Sequence, residues 1–288
     1  MKKINQILGL VLTCCVVFAF TSCQKDGMYK PKEKITQISL QTNGGPTEVV
    51  EQWTWEKGLL TQINYVDDGD VATFTYNGKQ VSEITTKSGQ KMTFAYDGKF
   101  VTGCTITSDG EMVAEYTFTH NDDNLISGIE AKFSTDFDLK TSRLIKMLNR
   151  IITPGIAEQQ NSFYLKEKGV YTMTQTFTYE KSNIISSNTK YSTGGVYDAT
   201  YTYYTDYMNP FYHLLSYFTD GFSKNALSES VTTNNIISTQ VDKLKVTYPT
   251  VNGKYPTQAT YSYSTEHHIG DLNNTYQNDI DNYFYEYK

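Results

Sequence analysis

The sequence has few cysteines and fewer basic than acidic residues. The first shortage excludes disulfide scaffolds and cysteine metal clusters, and the second argues against nucleic-acid binding. Four cysteines occur among 288 residues; Cys14 and Cys15 lie in the N-terminal apolar stretch and Cys23 follows it. That leaves Cys104 as the only cysteine in the rest of the chain. One thiol cannot build a disulfide scaffold or a cysteine metal cluster. With 31 acidic and 25 basic residues, the chain lacks the positive charge that nucleic-acid binding needs.

Catalytic motifs are also missing. The sequence contains no HExxH, no GxSxG, no P-loop and no GxGxxG before a predicted helix. The histidines, His120, His213, His267 and His268, are scattered, and the adjacent pair would face opposite sides of a strand. We therefore predict no catalytic residue, no metal site and no cofactor. A hydrolase stays open, because two carboxylates at a catalytic separation cannot be recognised from sequence.

Acidic residues cluster at Asp67–Asp70, Asn121–Asn124 and Asp279–Asp281. Calcium binds oxygen ligands of this kind, but the twelve-residue spacing of an EF-hand is absent. Turns select Asp and Asn because these side chains hydrogen-bond to the nearby backbone. We favour turns over calcium sites and leave calcium as the alternative.

The N-terminus predicts export and lipidation. Two lysines precede the apolar stretch 7–20, whose 14 residues fall short of the ~20 that cross a bilayer as a helix. The stretch ends in Phe20-Thr21-Ser22-Cys23, which resembles the lipobox of bacterial lipoproteins. The resemblance implies a signal peptide over 1–22, lipidation of Cys23 and a tether over 23–33. The alternative is an ordinary secretory signal with an incidental cysteine.

The predicted location follows from the anchor. Two or three acyl chains hold a protein stably on a membrane, so the membrane is an expected partner through the lipid. Gln24-Lys25-Asp26 resembles the signal that sends many Bacteroides-type lipoproteins to the outer face of the outer membrane. Surface exposure is therefore expected in preference to a periplasm-facing anchor. Without the signal peptide the chain has 23 basic and 31 acidic residues, a net charge of −8, which suits an envelope protein facing water.

A repeat dominates the remaining sequence, 34–288, which we predict to be a single β domain. FTYNGKQV at 74–81 and FAYDGKFV at 94–101 place Asn-Gly and Asp-Gly between alternating segments. These dipeptides favour type I′ turns, in which both central residues have positive φ. The repeat is therefore a β-hairpin.

The alternation predicts the fold class. In YTMTQTFTY, 171–179, aromatic residues and a methionine alternate with threonines. This is the half-buried pattern of antiparallel strands. We predict an all-β antiparallel meander of about sixteen strands that forms an open or closed barrel. A transmembrane barrel is less favoured. Its lipid-facing side chains would form an apolar band, whereas here one face of the strands is aromatic and the other carries threonine and charged residues.

The hairpin motif also resembles known families. It is similar to the Tyr-Asp repeats of RHS-type proteins, and more similar to an uncharacterised family of Bacteroides lipoproteins with a porin-like β fold. The resemblance covers most of residues 50–265 and implies the fold, but no functional residue.

Two segments interrupt the strand pattern. Residues 139–152 place apolar side chains at helical spacing with only basic charges between them, and Pro154-Gly155 ends the run. Residues 207–227 contain Asn209-Pro210 and then apolar residues that suggest a short helix. We predict that these helical insertions cover the sheet or the barrel mouth, with a membrane or partner contact as the alternative for the first.

The richest surface candidate is 196–218. Alternation puts Tyr197, Tyr201, Tyr203 and Tyr207 on one face and Tyr204 on the other, with Asp206. Tyr204 and Asp206 are the candidate ligand-binding residues, because tyrosine stacks on sugars and peptides at little entropic cost. The alternative, which the pattern favours, is that Tyr204 is a core residue or an incidental surface residue. The expected function is a non-catalytic binding or accessory lipoprotein with a glycan or protein ligand. The alternative is a periplasmic carrier of an apolar ligand in a β cavity.

Overall fold

The computed structural model describes residues 33–134, 142–152, 170–211, 223–234, 239–269 and 272–288. Sixteen antiparallel strands form a closed barrel in which each strand pairs with its neighbours in sequence and β1 pairs with β16. The predicted fold class is confirmed, and of the two alternatives left open the closed barrel is the correct one.

The bounds of the elements are as follows. The strands are β1 Ile35–Thr42, β2 Glu48–Glu56, β3 Leu59–Tyr65, β4 Val71–Asn77, β5 Gln80–Thr86, β6 Gln90–Asp97, β7 Phe100–Ser108, β8 Glu111–His120, β9 Ile126–Ser134, β10 Val170–Glu180, β11 Asn183–Tyr191, β12 Val196–Met208, β13 Asn225–Asn234, β14 Thr239–Asn252, β15 Tyr255–Ile269 and β16 Leu272–Tyr287. One α-helix, α1, spans Arg143–Ile152.

The two faces of the wall differ in chemistry, as the alternation predicted. Inward side chains such as Phe94, Met92 and Ile106 are buried in one apolar cluster. Outward side chains on the same strands are mostly threonine, with lysine and glutamate, as at Lys91 and Thr93. The described strands thus carry no outward apolar band of the kind found on transmembrane barrels.

The helix α1 lies among buried side chains and contacts β5 and β6. Six of its ten residues are buried, which is more than one face of a surface helix would bury. The predicted helix at 139–152 is confirmed over 143–152, and residues 139–141 lie outside the described part. In the second insertion, β12 ends at Met208 just before Asn209-Pro210, and the predicted helix itself falls mainly on residues that are not described. Among the described residues, no helix is long and apolar enough to cross a membrane.

The barrel has two ends. The terminal end contains the start of β1, the end of β16 and the turns that follow the even-numbered strands. There Lys34 and Lys288 exchange backbone hydrogen bonds, with N···O distances of 3.3 and 2.9 Å. The opposite end contains the turns that follow the odd-numbered strands, among them 66–70 and 192–195. Residue 142, which leads into α1, is also at that end, since Ser142 Oγ donates to Gln90 Oε1 at 2.7 Å at the start of β6.

The turn geometry corrects one prediction. In the β4–β5 hairpin Asn77 pairs with Gln80, so the two loop residues are Gly78 and Lys79. Only the glycine has positive φ, at 62°, which fits a type II′ turn in place of the predicted type I′. Asp97-Gly98 behaves in the same way, whereas Asp109-Gly110 has positive φ at both residues, 52° and 87°, as type I′ requires.

The repeat also encodes a link between neighbouring hairpins. We call Trp55, Tyr76, Tyr96 and Tyr179 the rim aromatics, because each lies near a turn at the terminal end. Each donates its N–H or O–H to a main-chain carbonyl nearer the start of the chain, at 2.7–2.8 Å. The acceptors are the carbonyls of Ile35, Leu60, Val81 and Ile126. The aromatic residue of the motif therefore fastens one hairpin to the one before it.

A β-bulge accompanies the rim aromatics. Thr75 pairs with Glu83 and Tyr76 with Val81, so Ser82 is the extra residue. Its hydroxyl donates to the Thr75 carbonyl at 3.1 Å, and Thr61 does the same to Thr54 in the preceding hairpin at 3.1 Å. Bulges bend a strand and increase its twist. The serine or threonine that follows the aliphatic residue of the motif is thus explained by the curvature of the barrel.

Candidate functional site

The predicted site residues lie in an irregular segment, 204–207, at the terminal end. The pairing of β12 with β13 runs to Tyr203, opposite Leu227, and resumes only at Met208, opposite Asn225. The four residues between have no partner in the register of β13. The Asn225 side chain supports them, because its amide donates to the carbonyls of Thr205 and Tyr207 at 3.1 and 3.3 Å.

Three tyrosines meet at this segment. The ring of Tyr204 lies 5.4 Å from the rings of both Tyr207 and Tyr248, and Tyr207 lies 5.9 Å from Tyr248. The two pairs that include Tyr248 are edge-to-face, a favoured arrangement of aromatic rings. The Tyr204 hydroxyl donates to the Val246 carbonyl at 3.3 Å. Burial strongly raises the pKa of Tyr248, so its hydroxyl stays protonated.

This geometry corrects the predicted faces. Tyr204 and Tyr207 were assigned to opposite faces of the strand, yet their rings are in contact. The interruption in pairing between Tyr203 and Met208 is the reason, because the alternation of faces holds only along a regular strand. Tyr204 is therefore half-buried in a cluster and not an isolated exposed ring, whereas Thr205 and Asp206 are exposed. The cluster therefore lies beside the exposed Asp206 at the terminal end.

A second polar site lies inside the barrel, between α1 and β2. Arg150 Nη1 donates to Glu51 Oε1 at 2.7 Å, and Trp53 Nε1 donates to Glu51 Oε2 at 2.9 Å. The Glu51 side chain is 5% exposed and that of Arg150 is 27% exposed. Burial acts to lower the pKa of Arg150, but the Glu51 carboxylate outweighs burial and raises it. The guanidinium also lies 5.0 Å from the ring of Phe211.

The N-terminal end of α1 is held at the opposite end of the barrel. Arg143 donates to the carboxylates of both Asp67 and Asp68 in the β3–β4 turn, at 2.6 Å from Asp67. Its guanidinium lies 4.7 Å from the ring of Tyr65. Partial burial acts to raise the pKa of Asp68, and the hydrogen bond from Arg143 outweighs it, so that pKa is lowered. The basic residues of the helix therefore hold it against acidic groups of the wall.

Two other residues that could have carried chemistry, Asp70 of the first acidic cluster and the single thiol Cys104, have structural roles. Asp70 Oδ1 accepts the backbone N–H groups of Val71 and Ser88, both at 2.9 Å, so that part of the first acidic cluster stabilises turns. Cys104 is buried, which raises its pKa and keeps the thiol protonated. Among the described residues no group of three or more His, Cys, Asp or Glu could hold a metal.

Several predicted residues lie outside the described part. These are Cys23 with the whole leader and tether up to residue 32, and His213. His267 and His268 lie on β15, but their side chains are not described. His120 ends β8 and contacts the Phe100 ring at a centroid distance of 5.5 Å, and partial burial lowers its pKa.

Sequence inspection missed the pair formed by Glu51 and Arg150. The two residues are 99 positions apart, and each lies in a segment whose pattern explains it locally. The available signal was the position of Glu51, two residues before Trp53, which places both side chains on one face of a strand. A carboxylate on the buried face needs a partner, and the basic residues of the predicted helix were the nearest candidates.

The comparisons with known proteins support the fold. A porin-like protein from Bacteroides uniformis, known from a crystal structure, has 13% sequence identity and a TM-score of 0.51, over 88% of this chain and 96% of that chain. No protein-family model matches the chain, and no curated protein matches it. At this identity the likeness concerns the fold alone. The chain thus has a porin-like β-barrel fold, in agreement with the resemblance noted in the repeat.

Proposed function

We propose that the protein is a lipid-anchored, non-catalytic binding protein of the bacterial outer membrane, with its barrel in water. The observation that supports this most directly is the polarity of the wall. Threonine, lysine and glutamate face outward on the described strands, and apolar side chains and α1 face inward. A membrane-spanning barrel has the reverse arrangement, so attachment through the predicted lipid at Cys23 is the simpler way to hold this barrel at a membrane.

The position of the termini agrees with such an anchor. The tether of ten residues between Cys23 and Lys34 spans at most about 35 Å when fully extended. The chain enters the wall at Ile35, at the terminal end. In this proposal the terminal end faces the membrane to which the lipid is attached, and we favour the cell surface over the periplasmic face. The cluster of Tyr204, Tyr207 and Tyr248 lies at that end and is the proposed contact surface, with Asp206 beside it.

The alternative is a carrier that holds an apolar ligand inside the barrel. The arrangement of α1 argues against it. Leu144 and Leu148 of the helix are fully buried against the inner wall, and Arg143 and Arg150 fix the helix at both ends. An apolar ligand in that part of the interior would have to displace a helix with its ion pairs. We therefore retain the carrier only as the second outcome of the binding experiment.

The anchor is tested by Cys23→Ala. We expect this variant to leave the membrane fraction or to accumulate as the unprocessed precursor, and we expect the wild type to incorporate labelled palmitate. Protease treatment of intact cells then distinguishes surface exposure from a periplasm-facing anchor. If the variant still fractionates with the outer membrane and the wild type takes up no palmitate, the lipoprotein proposal is wrong.

Binding is tested with residues 34–288, which contain all sixteen strands of the closed barrel. The soluble domain is applied to glycan and protein arrays, together with Tyr204→Ala. The matched control is Tyr255→Ala, which removes another half-buried tyrosine at the terminal end, 5.8 Å from the Tyr287 ring. We expect Tyr204→Ala to lose binding while Tyr255→Ala retains it, with similar melting temperatures. No binding on either array, combined with co-purified lipid in mass spectra, would favour the carrier.

A further inference from the structure

The inner wall of the barrel is divided into an apolar and a polar part. From β3 to β9 the inward side chains are almost all apolar, as at Ile63, Phe74, Ile84, Met92, Phe94, Ile106, Ile129 and Phe133. From β10 to β14 polar side chains take inward positions. We call these residues the polar wall: Gln175, Ser187, Thr189, Ser230, Thr232 and Asp242.

The strand register places the residues of the polar wall on one face of neighbouring strands. Gln175 lies opposite Thr189 on the next strand, and Thr232 lies opposite Asp242. Ser187 is joined to Thr232 through Ala199, which lies opposite both. Directly opposed residues share a face and have Cβ atoms about 4.5–5.5 Å apart. The polar side chains of β10, β11, β13 and β14 therefore share the inner face of the wall, with Ala199 of β12 between the two groups.

Two hydroxyl groups of this patch have no hydrogen-bond partner among the residues that the structure describes. These are the buried oxygens of Ser230 and Thr232, and Ser230 as a whole residue is 0% exposed. By contrast, the buried Ser187 hydroxyl is 2.8 Å from the Tyr201 hydroxyl. A buried hydroxyl without a partner destabilises a fold, and alanine or valine would fill the same space without that penalty. Ser230 lies out of reach of a ligand, but Thr232 lies opposite the half-buried Asp242, and its unpaired hydroxyl points to a partner from outside the chain.

The Asp242 carboxylate gives the patch its charge. It accepts the Gln240 amide at 3.1 Å on each oxygen and the Thr265 hydroxyl at 2.8 Å. Within the described ranges no lysine or arginine forms an ion pair with it. The strand register brings Tyr197 near this acid, because Ala199, two residues further along β12, lies opposite Thr232, and Thr232 lies opposite Asp242. Burial, and after it the Asp242 carboxylate, raises the pKa of Tyr197.

The residues of the polar wall differ in how exposed they are to solvent. Asp242 and Tyr197 are half-buried, and Ser230 is fully buried. The accessible part therefore lies toward the opposite end, near the turn 192–195. There the Tyr197 and Tyr191 rings meet edge to face at 5.9 Å. Gly195 accommodates them, since a Cβ at that position would fall 3.0 Å from the Tyr197 ring.

We propose that the polar wall binds a neutral saccharide, with the Tyr197 ring against the sugar C–H face and Asp242, Gln240 and Thr232 bonded to its hydroxyls. Hydroxyl, amide and carboxylate groups beside aromatic rings match a ligand that donates and accepts many hydrogen bonds and has apolar faces. An apolar ligand would leave the hydroxyls unpaired, and an anion would be repelled by Asp242. Among the described residues Asp242 belongs to no group of three or more His, Cys, Asp or Glu that could hold a metal ion. This inference rests on the proposed function and specifies its ligand class, but its site is separate from Tyr204.

The experiment uses residues 34–288 and saturation-transfer NMR with glucose, galactose, mannose, N-acetylglucosamine, maltose and cellobiose, with choline as an organic cation. We expect at least one sugar to bind. Thr232→Val and Asp242→Asn should each weaken its affinity about tenfold, the size expected for one hydrogen bond to a buried group. The matched control is Thr233→Val, one residue along β13 on the other face. Thr232→Val should melt no lower than the wild type, because it removes an unpaired hydroxyl.

Four outcomes decide the matter. Weaker binding in Thr232→Val but not in Thr233→Val, with unchanged melting, supports the inner site. Choline binding without sugar binding overturns it, since the patch would then be a cation site. Sugar binding that is lost in Tyr204→Ala and retained in Thr232→Val overturns the inner site and leaves the proposed function intact. No sugar binding in a domain that binds a protein on the array has the same effect.

Discussion

The rim aromatics allow a quantitative test of how the hairpin repeat holds the barrel together. The perturbation is Tyr76→Phe combined with Tyr179→Phe, which deletes two hydroxyls and little else. Each hydroxyl donates to a carbonyl at 2.7 Å, of Leu60 and Ile126 respectively. Both acceptor residues are 1% exposed, so water cannot replace the lost donor.

The magnitude follows from that burial. A typical hydrogen bond contributes about 1 kcal/mol net, and loss of the donor to a buried carbonyl falls at or above this value, about 1–1.5 kcal/mol. The two tyrosines lie on β4 and β10, which are not neighbours in the wall, so their effects should add. The double variant should therefore lose about 2–3 kcal/mol. For a domain of this size that lowers the melting temperature by roughly 4–12 °C.

The assay is urea unfolding of residues 34–288 followed by tryptophan fluorescence, with thermal melts in parallel. Tyr204→Phe is the control, because its hydroxyl bond to Val246 is longer, at 3.3 Å, and should matter less. A double variant that unfolds at the same urea concentration as the wild type would refute the idea that the motif tyrosine fastens neighbouring hairpins. The repeat would then encode only turns and core packing.

Three further predictions concern single sites. Gly78→Val should destabilise the protein by about 1–2 kcal/mol or more in thermal melts, because φ at this position is +62°. No atom lies within 4 Å of the new Cβ, so backbone strain is the whole effect. An unchanged melting temperature would contradict the turn assignment. Arg150→Met should lower the free energy of unfolding in urea by about 3 kcal/mol, since it leaves the buried Glu51 carboxylate without its counter-ion. Adding Glu51→Gln should restore part of that loss. A double variant whose loss equals the sum of the two single-variant losses would show that the pair is not coupled. Burial acts to raise the pKa of Asp68, but the hydrogen bond from Arg143 outweighs it and holds that pKa below its ordinary value. The stability from this contact is therefore present at neutral pH and is lost as the pH falls through the lowered pKa. Melts between pH 6 and 3 should show a smaller pH dependence in Asp68→Asn, and equal profiles would refute the contact.

Much of the fold could be predicted because the hairpin signals are local. The alternation in YTMTQTFTY and the glycine turns are properties of ten or so neighbouring residues, and they determine strands and hairpins directly. Closure depends on the fit of β1 to β16, whose members are far apart in sequence. Turn type was predicted wrongly at Gly78, because the loop begins one residue later than the Asn-Gly dipeptide suggests.

The candidate sites were less accessible to sequence inspection. Tyr204 was identified by its surroundings in a strand pattern, but its contacts with Tyr207 and Tyr248 depend on the interrupted pairing after Tyr203. No local pattern reports such an interruption. The pairing of Glu51 with Arg150 has the same origin, because α1 is placed inside the barrel by the packing of the whole wall. Apolar residues at helical spacing predict that a helix forms, but they do not predict which strands of the wall the helix packs against.

The seam between the first and last strands has a consequence for how the protein is made. Gln37 Nε2 donates to Glu286 Oε1 across a separation of 249 positions, and the strand that completes the barrel is the last to be synthesised. Until it arrives, β1 and β15 each present an open strand edge, the kind of surface that recruits other chains and aggregates. Contacts between residues this distant in sequence also form slowly. We therefore expect a chain with this strand order to depend on holding chaperones until β16 has been made, and truncation of β16 should yield aggregates in place of a smaller folded barrel.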